Sequence, residues 1–173
     1  MDQFATQADK HYKQLTNCID EIIKIYTLLI ETLHNERDIL VSTDIEKLNE
    51  VNQAKETILM KLATLENIRV KIAKELAQVI GANFEVPRLL EIAAKLPPAF
   101  GTKLRDQHAV LDLQVRRVNE INRDNEELVR SALTHVQGAM NAIRDTLVDN
   151  KTYKKDSAIN KNPKSGRLVS REA

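Results

Sequence analysis

Core-type positions, mostly apolar, recur at steps of four and three along most of this chain, and one such run is unbroken over twelve positions. Leu104, His108, Leu111, Val115, Val118, Asn122, Asn125, Val129, Ala132, Val136, Ala139 and Ile143 follow at alternating 4 and 3. That is the spacing of a helix seam packed lengthwise against other helices. Two neighbouring core positions are asparagines, and a buried amide must find partners or cost roughly 1–3 kcal/mol. Helices of this length act by contact rather than by chemistry, so the amide pair is the first feature to explain.

Two further seams precede that run. Leu15, Ile19, Ile22, Tyr26, Leu29, Leu33, Glu36 and Leu40 mark a helix ending near Val41, and Ser42-Thr43-Asp44 breaks the pattern. Thr43 followed by Glu46 reads as a capping box that opens the next helix. With so short a gap, the first two helices should form an antiparallel hairpin. The second runs from about Asp44 to Ile80 through Leu48, Val51, Lys55, Ile58, Leu62, Leu65, Arg69, Ile72, Leu76 and Val79, and Gly81 stands where a left-handed C-terminal residue belongs. Pro87 can open a short helix over Arg88 to Lys95, and Leu96-Pro97-Pro98 must end it. A third long helix then starts between Pro98 and Thr102 and reaches about Asn150.

The expected fold is all-α: an elongated antiparallel three-helix bundle or coiled coil, with a short helical connector and a flexible C-terminal tail. Residues 1–150 form the bundle and 151–173 the tail. At 1.5 Å per residue the first two helices are each about 55 Å long and the third about 72 Å. Unless the third helix bends or shifts, it overhangs the hairpin turn by roughly 10–15 Å. The stripe left without an internal partner is Val136, Ala139, Met140, Ile143 and Leu147. Such a stripe is a place for another chain to bind.

Each seam carries a polar interruption: Glu36 in the first, Lys55 and Arg69 in the second, Asn122 and Asn125 in the third. Mirroring the first two helices about their turn brings Lys55 level with the asparagines, with Glu36 about one turn further on. These side chains either snorkel to the surface or share a polar layer that specifies register at some cost in stability. A shared polar layer is expected.

Composition narrows the classes. The chain has 173 residues, only four Gly and four Pro, and six aromatics, a balance that favours long helices over strands. The single Cys18 cannot form an internal disulfide, which fits a reducing cytoplasm. No apolar run approaches the ~20 residues of a membrane span and the N-terminus lacks a signal-peptide pattern, so no membrane insertion is expected. Residues 151–173 hold seven basic side chains against two acidic, a balance of +5 that leaves −4 for residues 1–150 of an overall +1. The tail has one aromatic and no basic helix face, so it lacks the stacking platforms of single-strand binders, and no nucleic-acid partner is expected.

Catalytic readings fare poorly. Glu31 and His34 form a lone Glu-x-x-His off the seam, with no second copy around His108 or His135, so neither a metal nor another cofactor is expected. Cys18 lacks a basic cluster or fixed histidine partner and reads as a small packing residue. His108 reads as a packing residue near a bundle end. No phosphate loop, nucleophile elbow or zinc spacing occurs. The chain is not expected to be an enzyme.

With those residues in hand, the chain resembles the FlgN family of flagellar export chaperones over nearly its whole length. The matching features are Leu28 to Leu40 with Glu36, the run Leu48, Lys55, Leu62 and Arg69, the connector ending Leu96-Pro97-Pro98, and Asn119-x-x-Asn122-x-x-Asn125-x-x-Leu128. Thr152-Tyr153-Lys154-Lys155-Asp156 and Gly166-Arg167-Leu168 are similar to the family's ending, though more lysine-rich around the tyrosine than the usual form. The resemblance implies a cytoplasmic, non-enzymatic chaperone. It would bind the amphipathic terminal helices of flagellar hook-associated (hook–filament junction) proteins, prevent premature assembly, and deliver them to the flagellar type III export gate and its ATPase. On that reading Val136, Ala139, Met140, Ile143 and Leu147 bind the client and Tyr153 docks at the gate. The competing reading is a generic self-associating helical scaffold or adaptor, a homo-oligomer that uses the same stripe for a second copy.

Overall fold

A computed structural model describes the backbone of residues 2–156 and the side chains of residues 7–148. The expected end of the tail, residues 157–173, lies outside the described residues. Four helices follow in order: α1 (Asp2–Ser42), α2 (Ile45–Ile80), α3 (Leu89–Lys95) and α4 (Pro98–Asp156). No strand occurs among the described residues. Among the described residues, 2–129 form one compact unit and 130–156 another.

Within the first unit, α1 buries the face its periodicity announces. Leu15, Ile19, Ile22, Leu29, Leu33 and Glu36 are all buried, at steps that keep them on one stripe. Each fully buried aliphatic side chain contributes about 1.5–3 kcal/mol of transfer free energy. The link to α2 differs from the expected capping box. Thr43 takes a left-handed backbone (φ 57), and Asp44 is the N-cap, its Oδ1 accepting the Lys47 amide at 3.2 Å. A residue committed to the left-handed region cannot also present the extended backbone of a cap, so the role passes one residue on.

The two-residue link turns the chain back on itself. Cys18 Sγ reaches the Leu65 carbonyl and His11 lies 3.4 Å from Glu75, so α2 descends as α1 rises. Gly81 closes α2 in the left-handed conformation (φ 70), as its position predicts, and the Ala82 amide donates to the Ala77 carbonyl at 2.8 Å.

The connector is fixed by local chemistry. Asn83 Oδ1 accepts from the amides of Glu85 and Val86, shaping the loop, and Pro87 precedes the α3 start. Leu89, Ile92 and Ala93 of α3 join Tyr12, Leu15, Ile19, Ala73, Leu76, Ala77 and Leu104 in the largest apolar cluster. Gly101, in the first turn of α4, lies so close to α3 that a Cβ there would sit 2.3 Å from the Ala93 carbonyl oxygen. Only glycine permits that approach. Tyr12 completes this end, its hydroxyl donating to the Phe100 carbonyl at 3.2 Å and its ring meeting Phe100 edge-on.

Helix α4 follows α1 in the same sense. Gln107 Nε2 donates to the Thr16 carbonyl and to Asp20, Gln114 Nε2 to Thr27 Oγ1, and Asn125 Nδ2 to the Leu33 carbonyl and Glu36. The inward face is therefore shifted from the predicted seam. Leu104 and Asn125 are buried, but Gln107 and Ile121 are buried in place of His108 and Asn122. Two registers of the 3–4 repeat share positions 104, 111, 118 and 125 and differ by one residue elsewhere. Burial of Ile121 (2 % exposed) rather than the Asn122 amide decides between them. Val129, Ala132, Val136, Ala139 and Ile143 of the predicted seam are exposed. The helix also continues to Asp156, past the expected end near Asn150 and through Tyr153.

Candidate functional site

The heptad pattern placed a polar layer and an unpartnered apolar stripe on the chain, and the resemblance added the stripe's client role and Tyr153 as a docking residue. The structure brings three of the five predicted layer residues together. Glu36 is 7 % exposed and Asn125 3 %. Lys55 Nζ donates to Glu36 Oε1 while Asn125 Nδ2 donates to Glu36 Oε2 at 3.0 Å and to the Leu33 carbonyl at 2.9 Å. Each carboxylate oxygen thus has a donor from a different helix, which is how a buried charge is made tolerable. The flexible four-carbon stem lets Lys55 reach further along α1 than its own Cα, so it meets Glu36 directly rather than one turn away.

Two predicted members stand outside this layer. Asn122 is exposed, because the inward position at that turn belongs to Ile121. Arg69 is half-buried and pairs with Glu66 on its own helix, its Nε 2.8 Å from Glu66 Oε2. Fourteen residues of helix, about 21 Å, separate it from Lys55. The polar residues that the pattern missed are Gln107 and Gln114. Their signal was available: Gln107, Gln114, Ile121 and Leu128 stand seven apart, the second register of the same repeat.

Around Arg69 the connector leaves a groove of about 550 Å³, lined by Arg69, Pro87, Arg88, Leu89, His108 and Leu111 among others. His108 is half-buried at this groove, near the connector end of the first unit, where a packing histidine was expected. Cys18 is buried, and burial, reinforced by the Glu66 charge, raises its thiol above the ordinary value. A thiol held protonated in this way is a weak nucleophile. Glu31 and His34 are both exposed, and no cluster of three metal-binding side chains occurs among the described residues.

The stripe expected to bind a client lies in the second unit. Val136 (56 % exposed), Met140 (65 %), Ile143 (62 %) and Leu147 (59 %) face outward from α4, and Leu133 (56 %) extends the line by one step. Their spacing of 3, 4, 3 and 4 places all five on one side of the helix, and Ala139 is exposed beside them. Met140, Ile143, Leu147, Arg144 and Val148 together border a shallow apolar groove on this surface. Every described residue from 131 to 148 is exposed. Tyr153 falls on α4, but its side chain is outside those described.

No helix among the described residues is long and apolar enough to cross a membrane. Comparison with curated proteins and with solved structures finds no match. A family model does match: FlgN protein, over residues 1–161, which takes in the buried layer, the connector and the exposed stripe. The chain belongs to the FlgN family, whose members are flagellar export chaperones.

Proposed function

We propose that this protein is a cytoplasmic, non-enzymatic export chaperone for flagellar hook-associated (hook–filament junction) proteins. The observation that carries the reading is the exposed stripe Leu133, Val136, Met140, Ile143 and Leu147 on α4. A heptad-spaced apolar face left to water has half of a helix–helix seam and lacks the other half. An amphipathic terminal helix of a client supplies that half, and while it is held there it cannot pair prematurely with its assembly partners. Ala139, exposed beside the stripe, has a side chain small enough to let the client helix approach.

In this reading residues 1–150 act as the chaperone domain, an antiparallel three-helix bundle over its first part, with the Glu36, Lys55 and Asn125 layer fixing helix register. Residues 151–173 act as a basic delivery tail. Tyr153 is its aromatic anchor for the export gate and the associated ATPase, since aromatic side chains carry a large share of the energy in small interfaces.

The test is the double variant Met140→Glu/Ile143→Glu, titrated calorimetrically with purified hook–filament junction proteins. Both positions are exposed, so the helical signal and melting temperature should match the parent while affinity falls at least a hundredfold, about 2.7 kcal/mol. Unchanged affinity in a folded double variant removes the stripe from the client site. Tyr153→Ala should lower export and leave the titration unaltered; equal loss of both contradicts a separate docking role. A parent mass that rises with concentration, and falls to the monomer in the double variant, would assign the stripe to self-association instead.

A further inference from the structure

The same segment of α4 has a second unusual property, visible on the side away from the stripe. Residues 98–130 carry twelve Asp, Glu, Lys or Arg side chains, whereas residues 131–143 carry none. All thirteen of those residues are exposed. A helix that shows one face to a partner and the other to water keeps charge on the watery side. Here the far side holds Ser131, Gly138 and Ala142, about 180–200° around the helix from Met140.

Gly138 sharpens the point. A Cβ at that position would meet nothing within 4 Å, and the backbone there is ordinary helix, so no steric need among the described residues explains the glycine. Glycine in a helix interior is destabilising relative to alanine. Its absent side chain does have a use when a second backbone must come close from outside.

Interface area gives an independent argument. One client helix along the stripe, about 15 residues or 22 Å of α4, buries on the order of 500–800 Å² per partner, at or below what a standard specific complex requires. A helix on the opposite side adds a comparable area and brings the complex into the usual range.

Resting on the function proposed above, we infer that the charge-free residues 131–143 of α4 are enclosed from opposite sides by two helical segments of one client. The first closes the stripe through Met140 and Ile143. The second packs on the face of Ser131, Gly138 and Ala142, where the lack of charge lets apolar side chains be covered without stranding a buried ion.

The experiment separates the two sides. A photo-reactive benzoylphenylalanine is placed at position 140 in one full-length protein and at position 142 in another. Each is irradiated with a purified hook–filament junction protein and the adducts are mapped by mass spectrometry. Ala142→Glu is titrated with the same client alongside Met140→Glu. The inference expects adducts at both positions, mapping to different client segments, and a loss of affinity of at least tenfold from Ala142→Glu with the melting temperature unchanged. Adducts at 140 alone, with Ala142→Glu binding like the parent, overturn the two-sided arrangement and leave the stripe reading intact. If neither position yields an adduct and Met140→Glu binds normally, the stripe reading fails and this inference fails with it.

Discussion

Removing Lys55 should expose how the buried layer is held. In Lys55→Met the methionine keeps most of the apolar stem but takes away the ammonium that donates to Glu36 Oε1. The Glu36 side chain is 9 % exposed, so its carboxylate cannot recover the lost partner from bulk water. Breaking a buried pair on one side costs about 3–5 kcal/mol. Two facts lower that figure here. The Lys55 side chain is 23 % exposed, so part of the attraction is already screened, and Asn125 still donates to Glu36 Oε2. A loss of about 2–3 kcal/mol follows.

Asn125→Leu removes one bond to a charged acceptor, about 1.5–3 kcal/mol, and one to a carbonyl, about 1 kcal/mol. Burial of the leucine returns about half of that, leaving a net loss of about 1–2 kcal/mol. Asn122→Leu, at an exposed position, should stay within about 0.5 kcal/mol. The triple variant Glu36→Leu/Lys55→Met/Asn125→Leu removes every member at once and should return to within about 1 kcal/mol of the parent, because no charge is left stranded. The assay is urea unfolding followed by circular dichroism, with the slope checked for constancy so that midpoints convert to free energies. A Lys55→Met variant as stable as the parent would show that the pair is solvated. A triple variant less stable than the sum of its parts would show that the layer supports contacts beyond its own three residues. Either result refutes the reasoning.

Gly101→Ala should destabilise by about 1–3 kcal/mol, because its Cβ meets a backbone oxygen that side-chain motion cannot relieve. Gly138→Ala, with open space around it, should gain about 0.5–1 kcal/mol in the same thermal melt; equal effects of the two would mean that glycine acts here through the unfolded chain alone. Asp44→Ala should lower the melting temperature at pH 7 by removing the α2 N-cap. Hydrogen bonds from Lys47 hold the Asp44 carboxyl below its ordinary value of 3.8. Its contribution is therefore present above that value and lost as pH falls through the lower folded one. The gap between parent and variant should close below pH 3.8, and a gap that persists at pH 2 would place the effect elsewhere.

Much of the fold was legible because helix chemistry is local. The Gly81 terminus, the Pro97-Pro98 break and the α1 stripe each depend on residues within a turn or two of one another, and each stands where the pattern put it. The α1–α2 cap was misplaced by one residue, since Thr43 and Asp44 are both competent caps and only backbone geometry selects Asp44. The polar layer was half legible. Periodicity identified Glu36, Lys55 and Asn125, but it could not tell that Lys55 would extend along α1 to Glu36 or that Arg69 would turn to Glu66 on its own helix. Those outcomes depend on side-chain reach and on competing partners, which spacing does not encode.

The third seam shows why spacing alone cannot separate core from site. Its twelve positions share one rhythm, yet within the first unit the inward face follows Gln107, Ile121 and Asn125, and from Val129 onward the predicted positions are exposed. A 4–3 step states which side chains share a helix face; it does not state whether a partner covers that face within the same chain. What distinguishes the two stretches is the residues around the seam. Over 98–130 the outer positions are charged and the inward ones include amides that bond specifically to α1. Over 131–143 charge disappears on every side. A helix facing water on one side has no reason to discard that charge, whereas one enclosed by a transient partner does, since each charge left inside would have to be desolvated when the partner binds. On the two-sided arrangement proposed above, the loss of charge, more than the persistence of the heptad, is what marks this surface in the sequence.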